Sequence, residues 1–444
     1  MKKQNITFLF CALLSAFTYA QLPCNVLVGY WQNSWGSYVR LKDVNPNYNV
    51  LCLSFLEADK NYVSTDNSVN DLEFTPWSAS DNNIVTNLKN DIVAVQAQGK
   101  IVLMSIGGAS GSFKLNSVTD KNTFVSKVKA SIQAYGVNGI DIDLEQATYL
   151  DQAGTISNPS AHISYIIQGL QELLAWYQTT YGKKMILTMA PECVYTTGGL
   201  STYQTSHGVP YLAIIEALRD DIDLLMVQLY NAYQSNGLNN VTYNDGTADF
   251  IVSQTEALIR GFTCKNSKGV YSGLPANKIA VALPATSGSA SSGYVSTTVA
   301  KNAVKYLMGT GPKPGTYTLL QAGGYPNLAG MMTWSLNEDK DNSYAFALNY
   351  ASIFGSSNAN CTVSTHELLN ENALNIYPNP FHHSITVETN DMIGTNLSVY
   401  NSVGQEIFSQ VVTENKTLLD LSSLSAGMYF LKSGTQTQRI IKID

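Results

Sequence analysis

Three acidic residues alternate with apolar ones in the stretch "NGIDIDLEQ": Asp141, Asp143 and Glu145. A β-strand points successive side chains to opposite faces, so the three carboxyl groups share one face of a strand and the apolar residues share the other. Carboxylates that are buried side by side repel one another and are poorly solvated, so at least one of them keeps a proton at neutral pH. A carboxyl group that keeps its proton can act as a general acid, and the strand therefore predicts an acid–base site. The alternatives are a solvent-facing acidic strand and a cation site, although calcium usually takes its oxygen ligands from a bent loop.

This acidic strand belongs to a regular alternation of strands and helices between residues 25 and 355. Longer segments with apolar residues at helical spacing separate most of the strands. Eight short, nearly continuous apolar runs predict strands that are buried on both faces; they lie at residues 26–31, 50–58, 100–108, 137–145, 184–192, 221–231, 278–285 and 328–337. The pattern predicts an α/β fold, a (β/α)8 TIM barrel, with an open doubly wound sheet as the alternative.

The barrel fold predicts where the functional groups lie. Catalytic residues of such barrels come from the carboxyl ends of the strands and the loops that follow them. Glu145 ends the acidic strand, and Glu192 ends the segment "MAPE". Tyr230 and Asn231 end "QLYN", and Trp334 lies near the end of the last strand. These side chains are therefore candidates for a single site.

The two ends of the chain differ from the barrel segment. Residues 1–20 combine two lysines with an apolar run and a small-residue end, which predicts a secretory signal peptide. That run is about 12 residues, and a membrane-spanning helix needs about 20, so we expect no membrane span here or later in the chain. We predict a catalytic domain at 21–355 and a polar linker at 356–371. Short alternating strands between turn residues predict a small C-terminal β-sandwich at 372–444.

Composition narrows the possible partners. The chain has 444 residues and a formal net charge of −7, which argues against nucleic acid as a partner. Five cysteines remain after the signal peptide; an oxidising compartment permits one or two disulfides, whose pairing the sequence does not determine. Few histidines and no CxxC motif are present, so we expect no metal and no cofactor. We also expect a monomer.

Several segments together resemble one enzyme family. "NGIDIDLE" resembles the DxxDxDxE motif of the glycoside hydrolase family 18 chitinases. Five more segments resemble segments of this family and follow in the expected order along the chain: "VGYWQNSW", "SIGG" at 105–108, "LTMAPE", "VQLYN" and "GMMTWSLNED". The resemblance covers nearly all of residues 25–355. It implies a retaining, substrate-assisted mechanism, in which the N-acetyl carbonyl of the substrate attacks the anomeric carbon and forms an oxazolinium ion.

The resemblance also implies a role for each site residue. Glu145 would protonate the glycosidic oxygen and later act as the base towards water. Asp143 would hold the acetamido N–H, and Asp141 would share a proton with Asp143. Tyr230 would hydrogen-bond the acetamido carbonyl. Gln228 and Asn231 would line the subsite beside Tyr230, and Trp334 would be the floor on which the sugar ring stacks. Tyr30 and Ser105 would support Asp141 from below. Glu192 would face the groove, and Gly108 with Gly107 would permit a tight turn.

One position departs from the family pattern, because Asn138 stands where the motif has its first Asp. An amide can hydrogen-bond a neighbouring acid but cannot hold its proton. We therefore expect altered proton sharing among the acids, with a shifted pH–rate profile rather than a loss of activity.

Chitin, or its N-acetylglucosamine oligomers, is the substrate that the resemblance implies. An endo-β-N-acetylglucosaminidase acting on N-glycans shares the acidic strand and is one alternative. A sugar-binding lectin that has lost its acid is the other, and Glu145 argues against it. The short segment between the last two predicted strands leaves no room for the α+β subdomain that deepens the groove in some family members. A shallower cleft favours endo-cleavage.

The C-terminal segment resembles a different kind of domain. "LNIYPNPF" at 374–381, "VYNSVGQEIF" at 399–408 and "LSAGMYFLKS" at 424–433 resemble the type IX secretion C-terminal sorting domain. A carbohydrate-binding sandwich is the alternative, but it would usually display a planar aromatic strip, and this segment has no Trp. The resemblance implies the secretion machinery as a partner and a location outside the cell or on its outer surface.

Overall fold

The structure is a computed structural model, and the residues that it describes form two compact units. They are residues 22–32, 37–58, 67–76, 82–146, 150, 152–355, 375–379, 381–388, 393–401, 405–433 and 436–443. The predicted signal peptide and linker lie outside these residues. The domain boundaries that the sequence suggests therefore stay predictions.

Eight parallel strands form a nearly closed barrel in the first unit, which confirms the predicted TIM-type fold. Their order is β7-β8-β1-β2-β3-β4-β5-β6, and single bridges from Leu225 to Ile279 and from Gln228 to Ala282 join β6 to β7. This pairing of the last strands with the first excludes the open sheet. The strands are β1 Val26–Gln32, β2 Val50–Glu57, β3 Ile101–Gly108, β4 Gly139–Leu144, β5 Ile186–Met189, β6 Leu224–Leu225, β7 Ala280–Pro284 and β8 Gly330–Trp334.

Helices follow all the barrel strands except β1. In the described part of the β1–β2 connection there is only a 3-10 turn, Leu41–Asp43. The helices are α1 Asn82–Ala97, α2 Val118–Tyr135, α3 Ala161–Tyr181, α4 Thr205–Ala217, α5 Ala248–Arg260, α6 Thr297–Leu307, α7 Leu336–Asp341 and α8 Ala345–Phe354. Most begin at a Ser or Thr whose hydroxyl accepts a hydrogen bond from a free amide of the first turn, as Ser117 does from Asp120. None of the described helices is long and apolar enough to cross a membrane.

The alternation along the strands separates two apolar layers. Ile140, Ile142 and Leu144 of β4 pack in the outer layer, between the strands and the helices. The inner layer is mostly aliphatic and fills the barrel with residues such as Val28 and Leu103. Asp141 and Asp143 are 0 % and 3 % exposed, on the opposite face of β4 from the isoleucines. The predicted alternation is therefore present, and it buries two carboxyl groups inside the barrel.

Two antiparallel sheets form the C-terminal unit around one apolar core, as the sequence predicts. The sheets have the strand orders β9-β10-β13 and β12-β11-β14-β15. The strands are β9 Asn375–Tyr377, β10 Ser384–Glu388, β11 Asn396–Tyr400, β12 Glu406–Val411, β13 Lys416–Asp420, β14 Gly427–Ser433 and β15 Gln436–Lys442. Val387 of the first sheet and Val399 and Leu431 of the second are fully buried in that core.

The segment between β7 and β8, residues 285–329, contains α6 and no strand, so it adds no subdomain above the barrel. A buried carboxylate anchors its second half. Glu256 of α5 is 0 % exposed and accepts hydrogen bonds from Tyr317 Oη at 2.7 Å, Tyr325 Oη at 2.8 Å and the amide of Leu320 at 2.9 Å. These donors satisfy a buried charge that would otherwise be costly.

We expect Glu256→Ala to lower the free energy of unfolding by about 3 kcal/mol or more, because it leaves several buried donors without an acceptor. Glu172→Ala is the matched control: this helical glutamate pairs with Lys121 and Lys129 at the surface and should contribute less than about 1 kcal/mol. Urea unfolding of both variants measures the difference. Equal losses would show that Glu256 is not an anchor.

Candidate active site

Asp141 lies at the bottom of the site and is held by three hydroxyl groups. Tyr30 Oη and Ser105 Oγ donate to its Oδ2 at 2.7 and 2.6 Å, and Thr188 Oγ1 donates to its Oδ1 at 2.6 Å. Burial raises the pKa of Asp141, and the three hydroxyl donors oppose that rise because they favour the charged form. The donors come from β1, β3 and β5, so the barrel itself positions this carboxyl group.

Asp143 and Glu145 share one amide donor. Gln228 Nε2 lies 3.0 Å from Asp143 Oδ1 and 2.9 Å from Glu145 Oε1, and it also donates to the carbonyl of Ala190 at 3.1 Å. The Asp143 and Glu145 side chains also hydrogen-bond each other, so the two carboxyl groups lie side by side. The pair therefore occupies one side of the site, next to Gln228 in the segment after β6.

Burial of the acids next to one another favours their protonated forms. Burial and then the charge of Glu192 raise the pKa of Glu145 to about 7. Burial and then the charges of Glu145, Asp141 and Glu192 raise the pKa of Asp143 well above its usual range. The Gln228 amide opposes both rises, since its N–H groups favour the charged forms. A carboxyl with a pKa near 7 is suited to give and take a proton near neutral pH.

A cavity of about 290 Å³ opens above these acids. None of the described residues that line it is a lysine, an arginine or a histidine. The lining residues are Tyr30, Phe55, Glu57, Ala109, Ser110, Asp143, Glu145, Gln228, Tyr230, Asn231, Met332 and Trp334. The cavity thus combines an aromatic surface, several hydrogen-bonding groups and an acid, which suits a neutral polar ligand with apolar faces, such as a sugar.

An aromatic floor crosses the barrel below the cavity. The rings of Trp334 and Phe55 stack with centroids 5.7 Å apart and an interplanar angle of 17°. Tyr30 meets Trp334 edge to face at 5.9 Å. Gly108 allows this packing, because a Cβ at that position would lie 2.7 Å from the Phe55 ring and its φ is +79°. Contacts with Tyr30 and with Gly108 therefore hold the Trp334 and Phe55 rings in place.

Tyr230 and Asn231 form the wall at the β6 end. Tyr230 is 5 % exposed, and burial with the nearby acid charges raises its pKa well above its usual range, so its hydroxyl is a neutral donor. Asn231 Oδ1 accepts the amide of Ser291 at 2.8 Å, which ties this wall to the loop after β7. Gly293 of the same loop packs against Tyr230, where a Cβ would lie 2.4 Å from the Tyr230 Cα.

Seven of the predicted site residues line the cavity, and four do not. Asp141 and Ser105 are fully buried beneath it, Gly108 packs on Phe55, and Glu192 is partly exposed beside the acids. Among the residues that the sequence did not single out, Thr188 supports Asp141, while Phe55, Glu57, Ala109, Ser110 and Met332 line the cavity. Glu57 ends β2, so the strand-end rule that found Glu145 could have found it too.

Asn138 does not take part in the acid network, contrary to the expectation from the motif. Its Oδ1 accepts hydrogen bonds from Gln96 Nε2 and from the amide of Val102, both at 2.9 Å. It lies just before β4 begins, at the opposite end of the strand from Glu145. The proton-sharing argument for a shifted pH profile therefore has no basis in these contacts.

The structure describes four of the cysteines. Cys24 is disulfide-bonded, and Cys52, Cys193 and Cys264 are free and buried. Within the described residues, no group of three or more His, Cys, Asp or Glu side chains is arranged to hold a metal ion.

Two family models match the chain. Residues 26–308 match the model of the glycosyl hydrolases family 18, and residues 375–443 match that of the secretion system C-terminal sorting domain. The second match indicates secretion to the cell surface or the outside.

Two curated relatives and one solved structure are similar to the chain. "Chitinase ChiA" of Flavobacterium johnsoniae is 34% identical over 95% of this chain, which spans 27% of that protein. "Chitinase Chi52" of Paenibacillus xylanexedens is 38% identical over 70% of this chain and 58% of that protein. The crystal structure of a family GH18 chitinase from Chromobacterium violaceum is 31% identical, with a TM-score of 0.64 over 75% of this chain and 84% of that one.

The chain thus covers less than two thirds of the length of either curated relative. The family match nevertheless includes β1 to β7 and the whole acidic strand, and the solved structure shares the barrel. The acidic strand, the barrel and these matches together show that the chain belongs to glycosyl hydrolase family 18.

Proposed function

We propose that the chain is a secreted chitinase that hydrolyses β-1,4 linkages between N-acetylglucosamine units with retention of configuration. The observation that carries this proposal is the side-by-side arrangement of Asp143 and Glu145 on Gln228. A retaining enzyme with a protein nucleophile places its two carboxyl groups on either side of the sugar. Two acids on one side leave the nucleophile to the substrate, and the acetamido group of the sugar can supply it.

The chemistry assigns each acid one task. Glu145 gives its proton to the glycosidic oxygen while the acetamido oxygen bonds to the anomeric carbon, and the bond to the leaving sugar breaks. The product is an oxazolinium ion, whose N–H Asp143 accepts and whose charge it stabilises. Water then attacks the anomeric carbon and returns a proton to Glu145. Tyr230 donates to the acetamido oxygen and orients it for attack.

The cavity supports a sugar in this position. The exposed face of Trp334 offers a flat apolar surface against which the C–H face of a sugar ring excludes water. Gln228 and Asn231 reach the same cavity and provide polar contacts for the acetamido group and the hydroxyls. Asp141 with its three hydroxyl donors lies behind Asp143, where it can exchange a proton with it.

Endo-cleavage is the mode that we propose. Residues 285–329 carry a single helix and no strand, so no inserted subdomain walls the cavity at the β7–β8 side. A polymer chain can then lie across the barrel mouth in both directions. The C-terminal unit would deliver the enzyme to the secretion machinery, in agreement with its sorting-domain match.

We expect Glu145→Gln to lower hydrolysis of N-acetylglucosamine hexamer by at least about 100-fold, because the amide cannot donate the required proton in the same way. Time-resolved product analysis with proton NMR of the first-formed anomer measures both rate and stereochemistry. The wild-type enzyme should release β-anomers and a mixture of short oligomers. Glu172→Gln, a surface change of the same kind, is the control.

Other outcomes identify other functions. First-formed α-anomers would contradict the substrate-assisted mechanism, and dimers released only from one chain end would contradict endo-cleavage. Release of glycans from a glycoprotein, without cleavage of chitin oligomers, would point to an endo-β-N-acetylglucosaminidase. Binding of oligomers without hydrolysis would point to a lectin.

The contacts of Asn138 lead to a further prediction. Asn138→Asp should leave the pH–rate profile of the enzyme unchanged, because an Asp oxygen can accept the same bonds from Gln96 and Val102 and does not contact the acids. Initial rates on a chromogenic oligomer between pH 4 and 9 (roughly the range in which carboxyl groups of raised pKa titrate) measure this. A shift of either limb of the pH–rate profile in Asn138→Asp would show that residue 138 does affect the protonation of the acids.

A further inference from the structure

The backbone of the acid Glu145 lies beyond the end of its strand, since β4 ends at Leu144. Side chains from the two neighbouring loops hold it there instead. The amide of Glu145 donates to Ser112 Oγ at 2.8 Å, from the loop after β3. The next amide, that of Gln146, points to Glu192 Oε2 at 3.5 Å, from the loop after β5. Two successive amides are thus held from opposite sides.

The Ser112 side of this arrangement is rigid. Ser112 is 0 % exposed, and its carbonyl accepts a hydrogen bond from Asn67 Nδ2 at 2.8 Å. Gln146 adopts a φ of +70°, which is unfavourable for a side chain other than glycine, and its own amide group bonds the carbonyl of Ala109. The loop after β3 therefore fixes the chain direction at the point where Glu145 leaves the strand.

The Glu192 side contributes charge more than geometry, because a 3.5 Å hydrogen bond is weak. Glu192 is bridged through its backbone to Gln228, so it stands beside the same pair of acids. After burial, its charge is the largest effect that raises the pKa of Glu145. Within the part of the chain that the structure describes, the groups that interact electrostatically or by hydrogen bonds with Glu145 are Asp143, Glu192, the Gln228 amide, and the phenols of Tyr195, Tyr211 and Tyr230; none of these is basic.

We infer that Ser112 and Glu192 are positioning residues with separate tasks: Ser112 fixes the backbone of Glu145, and the negative charge of Glu192 keeps Glu145 protonated until the glycosidic oxygen takes the proton. This inference rests on the proposed chitinase function. The separation follows from the chemistry of the two side chains, since Ser112 is neutral and Glu192 makes only a long contact. A change at either residue should therefore leave a different kinetic signature.

Glu192→Gln tests the charge alone, because a glutamine oxygen can still accept the Gln146 amide. Glu145 must be protonated to act, so activity falls as the pH rises through its pKa. With the neighbouring charge removed, the basic limb of kcat/KM should move to lower pH by roughly 0.5 to 1 unit. Glu216→Gln on α4, where the glutamate accepts the Ser272 amide, is the matched control and should not move the limb.

Ser112→Ala tests the backbone alone. We expect kcat to fall about tenfold at every pH, with KM and the basic limb unchanged, because the acid is misplaced while its charge environment remains. An unmoved limb in Glu192→Gln, or an equal displacement in Ser112→Ala, would overturn the inference.

A measurement that does not depend on substrate hydrolysis tests this inference separately from the proposed function. Carbon-13 NMR titration of the glutamate carboxyl groups, with the Glu145 resonance assigned by Glu145→Gln, should show a lower pKa for Glu145 in Glu192→Gln than in the wild type. If the wild type failed to cleave chitin oligomers, the proposed function would fail, and the titration would still decide the role of Glu192. An identical Glu145 titration in both proteins would refute that role.

Discussion

The site depends on one constraint, the two-residue repeat of the strand that carries the acids. Alternate side chains of β4 point the same way, so Asp141 and Asp143 lie on one face, and Glu145, one residue beyond the strand, continues the row towards the rim. A row on one strand cannot enclose a sugar from both sides. In the proposed mechanism, the same repeat that brings the carboxyl groups together keeps them from acting as an opposed acid and nucleophile, and the substrate supplies the nucleophile.

Hydrogen-bond donors from other barrel strands and from Gln228 offset the cost of burying this row of carboxyl groups. Asp141 is fully buried, and three hydroxyl donors from three different strands stabilise its charged form, which opposes the cost of burial. Towards the rim the donors become fewer: Asp143 and Glu145 share the single amide of Gln228. Burial and the neighbouring acid charges raise the pKa values of Asp143 and Glu145, and fewer donors oppose that rise than at Asp141. The strands around β4 thus give the acids of one row different numbers of fixed hydrogen-bond donors.

The fold and the main acids could be predicted from sequence because they follow from local periodicity. Apolar runs gave the strands, alternation gave the shared face of Asp141 and Glu145, and the strand-end rule gave Tyr230 and Trp334. Ser112 and Thr188 could not be found in this way, since ordinary hydroxyl residues acquire a role only through contacts with distant strands. For Asn138 the sequence motif suggested a role that the contacts of its side chain do not show. It belongs to the motif by position, but three residues along a strand amount to about 10 Å, and this distance takes it away from the acids.

The most direct test of the account compares chitin oligomers with the same oligomers stripped of their N-acetyl groups. If the two acids lie on one side and the substrate supplies the nucleophile, the wild-type enzyme should cleave the acetylated chain and leave the fully deacetylated chain essentially intact. Comparable rates on the two substrates would contradict the account, because the acetamido group could then not be the nucleophile.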